Sequence, residues 1–251
     1  MKCKRCGVEY KLNENIADFL PEKLKEKLKY IPNCDCLEKD SKYELEIMDK
    51  KLEAERRVNR IKRFRDVSIV DSKFNKSFFK YAEENKAINM CKKYTDKFIE
   101  KTPKVGMYLY GPVGTGKTFA ACCMANELME SNKATLVMNL GLYLTKLKRE
   151  WAEAENDVLN HAKECDMLII DDFGVEKVTE FVLEKLFALI DTRYRSQKAI
   201  IITSNLSLEE TRTKFGDRIA DRIVDMCFPI EVKGESMRGK KTTDEFVHLM
   251  M

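Results

Sequence analysis

The sequence predicts an α/β fold: a parallel five-stranded sheet covered by helices on both faces, preceded by a small cysteine-bearing segment and a charged helix. Two observations carry this prediction. Five short apolar runs, VGMYLY (105–110), ATLVMNL (134–140), DMLIID (166–171), KAIIITSN (198–205) and CFPIEV (227–232), are separated by stretches of helical character such as 117–130 and 178–195. Unbroken apolarity is what a strand buried on both faces requires. Directly after the first run comes GPVGTGKT, residues 111–118, a loop type that joins a strand to a helix.

Taken in order, the chain divides into residues 1–40, 41–66 and 67–251. The first segment carries CKRC at Cys3 and Cys6 and CDC at Cys34 and Cys36. Nine scattered cysteines in 251 residues make a poor disulfide framework, and neither a signal peptide nor an eighteen-residue apolar run is visible. The chain is expected in the cytosol, without a membrane partner. Residues 41–66 read as a basic amphipathic linker helix, with Leu45, Met48, Leu52, Val58, Ile61 and Phe64 at mostly helical spacing. Its densest stretch, RRVNRIKRFR (56–65), has six basic side chains and no acid. That stretch suits nucleic-acid phosphates or an acidic protein surface; a solvated helix face explains it equally well. Cys91, Cys122, Cys123, Cys165 and Cys227 fall in apolar segments and read as core packing.

The chemistry starts at the loop. Gly111, Gly114 and Gly116, with Pro112, Val113 and Thr115 between them, let backbone N–H groups turn inward around a triphosphate; Lys117 brings charge to the β- and γ-phosphates and Thr118 a hydroxyl to magnesium. The following helix points its N-terminal dipole at the anion. ATP and Mg2+ are the implied ligands. LIIDDFG (168–174) contains the letters of the kinase DFG motif, but the two histidines, His161 and His248, stand in no HRD context. The buried strand instead delivers Asp171 to magnesium and Asp172 to the water that attacks the γ-phosphate. Asn205, at the tip of the next strand, orients that water or senses the γ-phosphate, or merely caps the strand. Arg218 and Arg222 lie one helical turn apart, either reaching a phosphate on a neighbouring subunit or pairing with Asp221 and Asp225 on their own helix.

GPVGTGKT, LIIDD, ITSN, DRIADR and GESMR, in that order, resemble the AAA+ ATPases of the DnaC/DnaI class, the bacterial and phage replicative helicase loaders, and more loosely the transposition helper IstB and the initiator DnaA. The similarity covers about residues 70–240. It implies an ATP-joined oligomer of the chain, Arg222 as the arginine acting in trans with Arg218 as second candidate, and Arg238 of GESMR as a nucleotide-sensing arginine.

Four thiols in two close pairs suit a tetrahedral Zn2+, which can crosslink a segment too short for a core; four unlinked thiols are the alternative. Loaders of the DnaI type resemble this arrangement, with an N-terminal zinc module that docks on the helicase. GLYLTKLKREW (141–151) offers Tyr143 for base stacking and Lys146, Lys148 and Arg149 for single-stranded DNA phosphates, or forms a solvated amphipathic helix with Leu142, Leu144 and Leu147 inward. The resulting expectation is a weakly hydrolysing, partner-stimulated ATPase that loads the hexameric replicative helicase onto single-stranded DNA. An IstB-like transposition helper and a DnaA-like replication regulator are the alternatives.

Overall fold

The computed structural model describes residues 2–17, 20–68, 74–82 and 85–236. The chain divides into two units, Met1–Arg57 and Val58–Met251. In the first, strand β1 (Lys11–Leu12) pairs antiparallel with β2 (Tyr30–Ile31), and helix α1 (Glu22–Leu28) lies between them in sequence. A tight turn after Cys3 is closed by Cys3 N–H to the Val8 carbonyl at 2.8 Å and Gly7 N–H to the Cys3 carbonyl at 2.9 Å. Helix α2 (Cys36–Val67) begins here and continues past Arg57 into the second unit. Its apolar residues Leu45, Met48 and Leu52 are exposed.

The second unit continues with α3 (Lys86–Lys101), β3 (Gly106–Tyr110), α4 (Lys117–Glu130), β4 (Thr135–Asn139), α5 (Leu140–Glu164), β5 (Met167–Phe173) and α6 (Glu180–Arg195). It closes with β6 (Ile200–Ser204), α7 (Leu208–Phe215), α8 (Asp217–Met226) and β7 (Cys227–Glu231). All five apolar runs become strands of one parallel sheet in the order β4-β5-β6-β3-β7. Side chains alternate between two cores. Tyr108, Leu168, Ile170, Ile200 and Ile202 face the side of α5, α6 and α8, while Met107, Leu109, Ile169 and Ile201 face α3 and α4. Both faces are dry, which is why the runs are continuously apolar.

The boundary between the units falls earlier than the sequence suggests, because Phe64 inserts into the first of these cores at 1% exposure. Arg60 pairs with Asp166 at 3.1 Å and Arg63 with Glu164 at 3.6 Å, so part of the basic stretch meets an acidic surface of this same chain. Ser68 donates its hydroxyl to the Phe64 carbonyl at 2.7 Å and accepts the Val137 N–H of the outer strand β4 at 3.1 Å. Arg193, with no exposure, donates to the carbonyls of Ala162, Cys165, Asp166 and Ala199, tying the end of α6 to the starts of β5 and β6. Among the described residues no helix is long and apolar enough to cross a membrane.

Candidate functional site

The phosphate loop leaves the end of β3 and enters α4, whose N-terminal cap is Gly116. Thr115 donates its hydroxyl to the Pro112 carbonyl at 2.9 Å, and Lys117 donates to the carbonyls of Gly111 and Pro112 at 2.8 and 2.7 Å. Those bonds bend the loop into a cup with the ammonium against its rim. Pro112, Val113 and Thr118 are exposed, Thr115 and Lys117 buried. Gly114 has φ +85, and a Cβ there would stand 2.1 Å from Ser236 Oγ, so the loop needs glycine on both conformational and steric grounds. The GESMR segment is thereby placed against the loop as far as Ser236. Arg238 lies outside the described residues.

β5 carries the acids. Its register against β6 slips between Ile170 and Phe173, where three residues of β5 span two of β6. The extra residue turns Asp171 and Asp172 apart from regular alternation, and Asp172 adopts φ 56. Aspartate tolerates this left-handed conformation better than most side chains, at a cost of about 1 kcal/mol. Asp171 is buried and accepts the Thr203 hydroxyl at 2.6 Å. Burial raises its pKa, partly countered by hydrogen bonds from the Thr203 and Thr118 hydroxyls. A hydroxyl and a carboxylate meeting at the helix N-terminus form the hard-oxygen pair that magnesium prefers. Asp172 is half-buried and its carboxylate accepts from Asn139 Nδ2 at 3.2 Å.

Two of these partners, Thr203 within ITSN and Asn139 at a helix start, have no spacing that signals a bond to the acids. Thr203 donates to Asp171 and also accepts the Asp172 N–H at 3.0 Å. Asn139 caps α5 through its carbonyl oxygen and aims its amide at Asp172. Asn205 is exposed; Ser204 instead closes the strand, donating to the Phe173 carbonyl at 2.6 Å and accepting the Leu206 N–H at 3.0 Å.

The two arginines differ. Arg222 pairs with Asp191 of α6 at 2.9 Å and lies over the rings of Phe187 and Tyr194 at 4.6 and 5.5 Å. Arg218 is exposed, and among the described residues its side chain makes no ion pair or hydrogen bond. Neither of the within-helix pairs expected from spacing forms: Asp221 pairs with Arg212 at 2.7 Å. The base-stacking expectation for Tyr143 is corrected, since its ring has no exposure and sits in the core beside Leu140, Leu144 and Leu147. Leu142, expected inward, is 51% exposed. Lys148, with its ammonium over the Phe181 ring, and Arg149 are exposed, and Lys146 is half-buried.

In the first unit, Cys3, Cys6, Cys34 and Cys36 bring their four sulfurs within 4.8 Å of one another. Sulfurs bound tetrahedrally to one zinc stand about 3.8 Å apart, so the cluster fits that ion. Backbone N–H groups of Cys6 and Arg5 lower the Cys3 pKa to about 6, whereas the adjoining Cys6 thiol pushes Cys36 up to about 12. Four such neighbours ionise together only around a cation.

The sequence profile of the family described as IstB-like ATP binding protein matches residues 38–245. This chain belongs to that family. Among individual relatives, it is 29% identical over 147 residues to the replicative helicase loader DnaI of Bacillus subtilis strain 168, covering 53% of this chain and 47% of that protein. It is 26% identical over 141 residues to the replicative helicase loader DnaC of Escherichia coli strain K12, covering 55% and 56%. The chain thus spans about half the length of the curated relatives it matches. A crystal structure of DnaI shares the fold with a TM-score of 0.58 at 21% identity, over 67% of this chain and 94% of that one. The five-stranded sheet lies within the region matched by this ATP-binding family, and the α/β unit shares the fold of the DnaI structure.

Proposed function

We propose that this chain is an ATP-dependent loader of a hexameric replicative DNA helicase onto single-stranded DNA, in which ATP binding and hydrolysis switch between assembly and release. One observation carries the helicase partner: a four-cysteine cluster borne on a unit of its own ahead of the phosphate site, in a chain whose matched relatives are named as helicase loaders. Zinc held by those cysteines would shape that unit as the docking module. ATP binds as substrate in the cup formed by residues 111–118, where its phosphates take the Lys117 donors from the Gly111 and Pro112 carbonyls. Thr118 and Asp171 would hold magnesium, which neutralises phosphate charge when bound. Asp172 accepts a proton from water as the water oxygen bonds to the γ-phosphorus, and the bond from that phosphorus to the β–γ bridging oxygen breaks, releasing ADP and phosphate. Asn205, exposed at the tip of β6, orients the water. Arg218 needs no bond broken to reach a neighbouring copy, so it is the arginine assigned to act in trans; Arg222 must first leave Asp191. Lys146, Lys148 and Arg149 are the assigned contacts to DNA phosphates.

The test is co-purification of the full chain with its cognate hexameric helicase, with and without ATP, beside Asp172→Asn and Cys34→Ser variants. The reading expects a stable complex that the cysteine variant loses and that the Asp172 variant, once loaded with ATP, fails to leave. Absence of any complex with the parent chain, combined with ATP-dependent retention of a transposase, would replace the loader by a transposition helper.

A further inference from the structure

Four backbone polar groups between Asp172 and Gly174 are held by side chains, and none of the four holders belongs to the phosphate loop or the acid pair. Thr203 accepts the Asp172 N–H at 3.0 Å, and Ser204 donates to the Phe173 carbonyl at 2.6 Å. Glu176 accepts the Gly174 N–H at 3.1 Å, and Lys214 of α7 donates to the Gly174 carbonyl at 2.5 Å. The Phe173 ring packs on Phe215, also of α7, with centroids 5.0 Å apart. Gly174 itself has φ +100 and a Leu206 carbon 2.7 Å from where a Cβ would stand. Left-handed residues, Asp172 and Gly174, stand on either side of Phe173, and such a turn keeps its shape only while its surroundings over-determine it.

α7 is in turn held from its middle by two adjacent residues. Thr211 shares a 2.7 Å hydrogen bond with the buried Tyr108 hydroxyl of β3, and Arg212 bridges to Asp217 and Asp221 of α8 at 2.7 Å each. A single residue, Gly216, separates the two helices. α8 carries Arg218, so a shift of the α7–α8 corner moves Lys214 with it.

We propose that Lys214, assisted by Glu176, is a positioning residue for Asp172: it sets the turn that aims the carboxylate and so links the reach of that carboxylate to the α7–α8 corner, where a neighbouring copy would press. The inference rests on the assignment of Asp172 as the group that takes the proton from water. The half-buried Glu176, whose pKa burial raises, feels the charges of both Lys214 and Asp172. Proton transfer depends steeply on the distance between base and water, so a displacement of about 1 Å lowers the rate about a hundredfold while leaving phosphate binding intact.

The experiment uses the full chain with MgATP and compares Lys214→Met, Lys214→Arg, Glu176→Ala and Asp172→Asn. Methionine keeps an unbranched stem and removes the ammonium, and with it the contact over the Phe215 ring. Lys214→Met and Glu176→Ala should lower kcat about tenfold or more, with KM within about twofold. Lys214→Arg should restore kcat to within about threefold, which a loss of fold would not allow. Hydrogen exchange at the Asp172 and Gly174 amides should quicken in Lys214→Met while the amides of β3 and α4 keep their protection. A Lys214→Met protein with parent kcat and parent exchange at those two amides overturns the inference, as does a loss confined to KM. Parent-rate hydrolysis by Asp172→Asn would instead remove the assignment beneath it, and the exchange comparison then still decides whether Lys214 shapes the turn.

Discussion

Replacing Thr203 by valine keeps the shape of the side chain and removes one hydroxyl that serves both acids. The hydroxyl donates to Asp171 at 2.6 Å and accepts the Asp172 N–H at 3.0 Å, at 1% exposure. Leaving that N–H unpaired costs about 1–3 kcal/mol, and losing a bond to an ionised carboxylate about 1.5–3 kcal/mol. Burying one more methyl returns about 0.8 kcal/mol, and protonation of Asp171 relieves part of the second loss. The net destabilisation should be about 2–4 kcal/mol, or roughly 4–16 °C in Tm for a chain of this size. Burial already raises the Asp171 pKa and the Thr203 bond opposes that rise, so the valine variant should raise it further. An acid whose pKa is higher in the fold than in the unfolded chain stabilises the fold below its unfolded pKa and loses that contribution as the pH rises through its folded value. Magnesium–ATP binding has the opposite dependence because it needs the ionised acid; its affinity should fall on acidification at a higher pH in the variant than in the parent, with roughly a tenfold weakening near neutrality. Thermal unfolding and fluorescent-nucleotide titration between about pH 5 and 8 read both quantities, with Thr203→Ser as the control that retains both bonds. A valine variant melting within about 2 °C of the parent and binding with an unshifted pH profile would refute the two-sided bond.

Tyr143→Phe should stabilise the fold by about 1 kcal/mol in urea unfolding, because the buried Tyr143 hydroxyl has no hydrogen-bond partner among the described residues; a loss of more than that would reveal a partner. The purified chain should carry one equivalent of zinc that Cys36→Ser loses, and elemental analysis below about half an equivalent counts against the metal. Arg222→Ala should cost about 1–2 kcal/mol, since it breaks the Asp191 pair and the contact with Phe187. Arg218→Ala should leave stability within about 0.5 kcal/mol yet lower hydrolysis at high protein concentration about a hundredfold or more; the reverse pattern would transfer the trans role to Arg222.

The strands and the phosphate loop were legible because their signals are local. A run such as KAIIITS contains its own reason to be a buried strand, and GPVGTGKT its own reason to wrap an anion. The fixing of Asp172 was not legible, since Asn139 and Thr203 reach it, and Lys214 reaches the Gly174 carbonyl two residues on, from three other elements through single hydrogen bonds that leave no spacing rule. Arg222 shows the same limit: its partner Asp191 is on another helix, whereas spacing could offer only Asp225. Tyr143 is a different kind of miss. Leu140, Tyr143, Leu144 and Leu147 follow the i, i+3, i+4, i+7 pattern of a buried helix face, and the phase is lost only when counting starts at Leu142. Asn139 marked that start, as an asparagine whose side chain accepts the Leu142 N–H.

The hydroxyl of Ser68 has a consequence for handling the protein. β4 is an outer strand, and an outer strand with free N–H groups is a template on which another chain can add itself. Ser68 occupies one of those groups, at Val137, while Phe64 both receives the Ser68 proton and seals the apolar face beneath. A fragment cut at residue 67, where the letters alone suggest a domain begins, would keep the serine but discard Phe64, whose carbonyl steadies it. Such a fragment is prone to edge-to-edge aggregation, whereas one begun at residue 58 retains the cover.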